Sequence, residues 1–241
     1  MFRHYNKTRT LSHSLKIASL LSFVAGCVNV AGFLAVQKLT TNVTGHFAFF
    51  VEQVFKLDFW QGFVFFLYIL FFFMGSFVSN FIIELVSQKS DRYIYIIPAS
   101  VECVILFLIG IFGNDFILKS PNMIAFGLLF AMGLQNSLVT TISNASIRTT
   151  HLTGLFTDLG IELSQLFFYQ SIEQKSKLYA SIQLRFTIIG SFFMGGVMGG
   201  VFYSSLQLKV LILAASFLVL GLVYDSIKYK IIQLKRRLTN N

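Results

Sequence analysis

Long apolar stretches alternate with short polar segments along almost the whole chain. A helix needs about 20 mostly apolar residues to cross the hydrocarbon core of a bilayer, and six stretches with little or no charge have about that length. They span residues 17–37, 59–83, 93–114, 120–147, 186–208 and about 206–227. The pattern predicts an all-α integral membrane protein with about six transmembrane helices.

Two further segments have helical character but fit a transmembrane helix poorly. Residues 44–55 would extend only about 18 Å at about 1.5 Å per residue. Residues 152–172 are long enough, but Asp158, Glu162 and Gln165 lie on one face of the helix. We interpret both segments as short, partly buried or re-entrant helices.

The composition agrees with this pattern. Hydrophobic residues make up 55% of the 241 residues and charged residues only 12%, whereas soluble domains carry about 25% charged residues. The net charge of +9 comes from basic residues between and outside the apolar stretches, so we expect no nucleic-acid partner. Cys27 and Cys103 lie inside apolar stretches and the four His are scattered, so we expect no disulfide framework, no metal site and no cofactor.

The positions of the basic residues predict the orientation. With six spans, fifteen of the 19 Lys and Arg residues fall on the side of the N-terminus. The four on the opposite side are Lys38, Lys56, Lys119 and Lys209. Because Lys and Arg are enriched in cytoplasmic loops, we expect the basic tails 1–16 and 228–241 in the cytoplasm. Eight spans would give nearly the same excess of Lys and Arg on one side. We therefore choose six spans on the length of the segments.

Three motifs occur twice in the same order. Gly26-x-x-Asn29 matches Gly133-x-x-Asn136, TTNVTG at 40–45 matches TTHLTG at 149–154, and FFMG at 72–75 recurs at 192–195. The matches predict a duplication, with repeat one in residues 17–114 and repeat two in residues 120–227. Three crossings in each half would give two inverted three-helix repeats, an arrangement found in many secondary transporters.

The second-half stretch GLQNSLVTTISNASIRTTHLTGLFTDLG, and above all RTTHLTGLFTDLG at 148–160, resembles the YoaK-like family. That family comprises bacterial multi-pass membrane proteins with a domain of unknown function, and the resemblance extends over about residues 15–227. It implies a multi-span protein of the bacterial plasma (inner) membrane, but no reaction and no ligand. The family usually has TGN in the first turn, whereas this chain has Thr44-Gly45-His46.

The two TG turns are the main candidates for a binding site. Non-helical backbone at membrane depth must be buried in protein or line a cavity. We expect Thr44 and Thr153 to cap the helices that follow, whose electropositive N-termini suit an anion, with Arg148 adding positive charge. The candidate substrate-binding residues are Asn29, Thr41, Asn42, Thr44, Gly45, His46, Asn136, Arg148, His151, Thr153 and Gly154. The alternative is that each turn only caps and packs a short helix, and that the Asn residues only join helices.

Three acidic residues are candidates for proton coupling, because acids inside membrane segments are rare. Glu102 is the most deeply placed, and no basic residue near it in the sequence balances its charge. Asp158 and Glu162 share a helix face. They would relay protons, pair with Arg148, or face water at the cytoplasmic surface.

These residues favour passive or proton-coupled translocation of a small polar or anionic solute by a transporter or channel-like permease. The alternative is a non-transporting lipid- or quinone-binding or assembly protein. We expect that the protein is not an enzyme, because the chain has no phosphate-binding loop, nucleophile elbow or metal-binding His pair. The predicted partner is the lipid bilayer, and the sequence does not indicate an oligomeric state.

Overall fold

A computed structural model describes the backbone of residues 11–88, 93–143, 148–169 and 171–239, and this part of the chain is helical without a strand. The helices are α1 (Leu11–Val36), α2 (Val43–Phe55), α3 (Phe59–Ser87), α4 (Ile96–Phe116), α5 (Pro121–Ser143), α6 (Leu152–Gln165), α7 (Ile172–Leu206) and α8 (Val210–Thr239). A short 3-10 turn, Gln207–Lys209, separates α7 from α8. The prediction of an all-α protein is confirmed.

Five helical stretches of the described chain are long and apolar enough to cross a membrane. They are Ser14–Val36, Phe59–Ser87, Ile96–Phe116, Pro121–Ser143 and Ile172–Tyr224. The last stretch contains two helices, because the backbone of Gln207 at φ 49° interrupts it between α7 and α8. These stretches support a multi-pass membrane protein.

The central helices run in two directions. Helices α1 and α5 are antiparallel, because Gln135 bonds the carbonyl of Leu21 while Gly32 lies against Leu128. Helices α3 and α5 are parallel, because Tyr68 bonds Asn122 and Ser76 bonds Gly133 further along both helices.

Helices α7 and α8 both pack on α1 but run in opposite directions. Phe23 contacts Gly195 and Cys27 contacts Gly199, so α7 is parallel to α1. Leu20 contacts Gly221 and Phe23 packs on Phe217, so α8 is antiparallel to α1.

Helix α4 is antiparallel to α8, because Cys103 contacts Ala215 while Gly113 lies against Leu208. Helices α1, α4 and α7 therefore run one way, and α3, α5 and α8 run the other way. The most extensive packing joins α1 to α7 and α3 to α5, while α1 and α5 meet in the middle. Helices α7, α1, α5 and α3 thus form a row in this order, and α4 and α8 cover one side of it.

Glycines bring the helices of both main pairs into backbone contact, as small residues do in membrane bundles. A Cβ on Gly26 would overlap the carbonyl of Phe192, and a Cβ on Gly133 would overlap that of Phe72. Gly195 and Gly75 meet the carbonyls of Phe23 and Phe130 in the same way. Gly195 and Gly199 therefore pack α7 directly on the backbone of α1.

Three sequence-based boundaries differ from the structure. The fifth span was expected to begin at residue 186, but α7 already begins at Ile172 because α6 packs against its first turns. Helices α1 and α8 extend into the expected tails, to Leu11 and Thr239. The end of the expected fourth span, residues 144–147, lies outside the described chain.

Candidate functional site

The first TG turn re-enters the bundle. Helix α1 ends at Val36, and Gln37 has φ 53°, so the chain turns back along α1. The Thr41 hydroxyl donates to Asn29 Oδ1 at 2.8 Å. Because Asn29 precedes the end of α1 by about two turns, α2 begins roughly 10 Å inside that end.

Asn42 caps α2, and Thr44 does not. The Asn42 side chain accepts a hydrogen bond from the Gly45 N–H at 3.0 Å, which satisfies one of the free N–H groups of the first turn. Asn42 and Thr44 are exposed, and Gly45 packs against Leu39. The expectation that Thr44 caps the helix was wrong, because the N-cap lies two residues earlier, at Asn42.

The second TG turn has the same link. The Asn136 amide donates to Thr150 at 2.6 Å, and the Thr150 hydroxyl donates to Asn136 Oδ1 at 2.8 Å. His151, not Thr153, occupies the N-cap position of α6 and forms no side-chain capping bond. Its ring lies against Gly154, at the place where a Cβ of that residue would be.

The two Asn–Thr links lie on one side of the α1–α5 pair. Contacts with α5, α7 and α8 occupy three sides of α1, and Asn29 lies on the fourth. Contacts with α1, α3 and α4 occupy three sides of α5 in the same way, and Asn136 lies on the fourth. Gln135 is level with Leu21, so the links are about 13 Å apart along the axis.

Each turn also contains a buried threonine next to the linked one. Thr40 and Thr149 are fully buried, and neither hydroxyl has a hydrogen-bond partner within the described chain. A buried hydroxyl without a partner is unfavourable by about 1–3 kcal/mol. The pair recurs at matching positions of both turns, and the spacing of the motif alone did not indicate it.

His46 was expected to contact the substrate, but the structure places it elsewhere. The ring is buried, with Nε2 2.5 Å from the Leu39 carbonyl oxygen and its centroid 5.0 Å from that of Tyr68. The ring therefore fastens α2 to α3 and does not face the exposed side chains of the turn.

Asp158 and Glu162 do not pair with Arg148, because Arg185 of α7 binds both. Its Nε donates to Glu162 at 2.8 Å and its Nη1 to Asp158 at 2.9 Å. The Ser181 hydroxyl also donates to Glu162, at 2.6 Å. Arg148 is exposed and forms no ion pair among the described residues. Both acids thus hold α6 on α7, which the sequence did not predict because residues 173–185 resembled a loop.

Glu102 is fully buried in α4, and neither of its carboxylate oxygens has a partner within the described chain. Contact between Ile109 and Gly127 sets the register of α4 on α5, which places Glu102 at about the depth of Gln135. Three more buried atoms at about this depth have no described partner: Gln135 Oε1, Ser22 Oγ and Ser79 Oγ. In the sequence, this polar layer is indicated only by the two adjacent polar residues Gln135 and Asn136 within an apolar stretch.

A row of apolar helices with polar breaks and buried polar atoms defines the class of the protein, a helical multi-pass membrane protein. Within that class, the chain belongs to the DUF1275 family, described as proteins of unknown function, whose model matches residues 17–224. This match confirms the YoaK-like resemblance. Neither a curated protein nor a solved structure matches the chain.

Proposed function

We propose that the two halves of the chain are inverted repeats that together cross the membrane six times. Helices α1, α3 and α4 correspond to α5, α7 and α8, and each helix is antiparallel to its counterpart. The packing of α1 on α7 then corresponds to that of α5 on α3, which accounts for the matching contacts of Gly26 and Gly133. Six crossings leave both termini on one side.

The distribution of Lys and Arg supports a cytoplasmic location for both termini in a bacterial plasma membrane. In that orientation the first TG turn enters the bilayer from outside and α2 runs back outward, while the second TG turn enters from the cytoplasm and α6 runs back toward it. The tip of the α2–α3 hairpin therefore projects outside the membrane, and the tip of the α6–α7 hairpin projects on the cytoplasmic side. Leu57 and Phe168 are strongly exposed at these tips.

We propose that the protein transports a small polar or anionic solute, which binds between the two re-entrant helices. The observation that carries this proposal is the matched pair of Asn–Thr links on one side of the bundle. Helix N-termini at this depth present free N–H groups and partial positive charge. The exposed side chains of Asn42, Thr44, His151 and Thr153, together with Arg148, supply further polar contacts.

Glu102 is the proposed coupling residue. An ionised carboxylate without a partner is strongly unfavourable in an apolar interior, so the enclosed side chain carries its proton. Release of the proton then requires a conformation that admits water to α4. Asp158 and Glu162 are less suited to this role, because both form hydrogen bonds with Arg185.

The test is flux through the purified protein in liposomes. Swelling is followed by light scattering after an osmotic step in potassium phosphate, sulfate or acetate, with valinomycin to carry K+ across the bilayer, or in glycine. We expect faster swelling than in empty liposomes for at least one solute. Thr41→Val keeps the shape of the side chain but loses the bond to Asn29, and we expect a roughly fivefold slower flux from a loss of about 1 kcal/mol.

The matched control is Thr157→Val, because within the described chain the Thr157 hydroxyl bonds only the Thr153 carbonyl, on the exposed side of α6. Its flux should equal that of the wild type. Equal flux in Thr41→Val, Thr150→Val and wild-type liposomes would count against the proposed site. Swelling no faster than in empty liposomes for every solute would count against transport.

A further inference from the structure

An open apolar groove of about 600 Å³ lies between α1, α7 and α8, within the usual size range of ligand sites. It lies on a different side of α1 from Asn29 and is separate from the proposed solute site. Its lining is almost entirely apolar, with hydroxyl groups from Ser19, Thr187 and Ser191.

The corresponding space in the first half of the chain is filled. Aligning the contacts of Gly26 with those of Gly133 makes Ser19 equivalent to Phe126, and aligning Gly195 with Gly75 makes Ser191 equivalent to Phe71. Phe71 and Phe126 stack with their ring centroids 4.6 Å apart. Two serines therefore line the groove at the positions where two stacked rings close the other half.

A third replacement enlarges the groove. Gly190 lines it and is equivalent to Leu70 in the same alignment. A Cβ added to Gly190 would meet no atom within 4 Å. The backbone contacts of Gly26 and Gly195 hold α1 and α7 together as tightly as α5 and α3, so the helices do not move inward to fill the space.

A positive charge lies at one end of the groove. Lys16 precedes Ser19 by one turn on the same stripe of α1, and the Ser19 hydroxyl donates to the Lys16 carbonyl at 3.1 Å. The Lys16 side chain is exposed, with Nζ 5.9 Å from the centroid of the Tyr224 ring. Lys16 directly precedes the apolar stretch of residues 17–37, so the charge lies at the membrane surface.

We propose that this groove binds an anionic phospholipid, with one acyl chain along α1 and α7 and the phosphate group at Lys16. Basic side chains beside apolar grooves between transmembrane helices suit such headgroups. The site does not depend on solute transport. It rests on the two halves having different side chains at equivalent positions.

The test measures thermal unfolding of the detergent-purified chain with added dioleoyl phosphatidylglycerol or dioleoyl phosphatidylcholine. Binding to the native state raises the midpoint temperature. We expect phosphatidylglycerol to raise it by several degrees and phosphatidylcholine to raise it much less. Lys16→Gln should remove the difference between the two lipids.

Filling the groove separates this site from general effects of lipid. Ser19→Phe combined with Ser191→Phe restores the aromatic pair of the other half, and Gly190→Leu fills the same space with one change. Both variants should lose the phosphatidylglycerol effect. The matched control is Gly160→Leu, since a Cβ on Gly160 of α6 also meets no atom within 4 Å, and it should keep the effect.

Three results would overturn the proposal. The first is an equal rise in midpoint with the two lipids in the wild type. The second is an undiminished phosphatidylglycerol effect in Gly190→Leu, which serves as the readout if the double variant does not fold. The third is a wild-type dimer that becomes a monomer when the groove is filled, because a second copy of the chain would then occupy it.

Discussion

Asn29 and Thr41 hold the first helix break by the same bond that Asn136 and Thr150 form in the second. The recurrence of both residue types in the sequence predicted that they matter, but not that they meet. Their contact requires the chain to turn back after Val36, and Gln37 does so with φ 53°. Glutamine is not a residue that usually marks this conformation, so the link could not be predicted from the residue types.

At the residue scale, the close helix contacts predict the effect of an added methyl group. Gly26→Ala places a Cβ against the backbone carbonyl of Phe192, which cannot move without separating α1 from α7. We expect a loss of about 1–3 kcal/mol, measured as a lower midpoint of thermal unfolding in detergent. Gly133→Ala should behave alike, because it meets Phe72 in the same way.

The control is Gly190→Ala, which adds the same methyl group where nothing lies within 4 Å. Its midpoint should equal or slightly exceed that of the wild type, because Ala is favoured over Gly in a helix interior. If Gly26→Ala and Gly190→Ala had the same midpoint, close backbone packing of α1 on α7 would be refuted.

At the scale of the elements, hydropathy identified the apolar helices but missed the first part of α7. This part is amphipathic, since Leu178 and Ile182 pack on Leu159 of α6 while Lys177 and Glu173 pair on the exposed side. Hydropathy averaged over a sequence window combines the apolar and the polar face, so it does not distinguish such a helix from a loop. The short helix α6 was predicted, but its partner on α7 was not.

The ion pairs of Arg185 predict how firmly α6 is held. Arg185→Gln leaves Glu162 half-buried with the Ser181 hydroxyl as its remaining partner. We expect a loss of about 1.5–3 kcal/mol, the range for hydrogen bonds to charged groups. Hydrogen exchange should show faster exchange of the α6 amides, while those of α3 and α5 stay unchanged.

Lys177→Gln is the matched control, because Lys177 forms a similar pair with Glu173 in full exposure to solvent. Exposed pairs contribute about 0–1 kcal/mol, so exchange in α6 should hardly change. Unaltered exchange in Arg185→Gln would mean that the apolar contacts of Leu159 alone dock α6.

At the scale of the whole molecule, the repeated motifs predict which helices of the two proposed repeats correspond. The motifs could not predict that each half contributes to both main helix pairs, because this exchange of partners depends on contacts between distant segments. They also could not predict the groove beside α1. It arises at Ser19 and Ser191, where the two proposed repeats have different side chains. A comparison based on similar motifs does not identify such positions.

The central claim is that the two halves are inverted in the membrane. Leu57→Cys and Phe168→Cys, each in a chain with Cys27→Ala and Cys103→Ala, place a thiol at the exposed tip of either hairpin. Labelling with a membrane-impermeant maleimide in intact cells and in inside-out vesicles measures the side of each thiol. The account predicts that Leu57→Cys reacts only from outside and Phe168→Cys only from the cytoplasmic side. Labelling of both thiols from one side would contradict it.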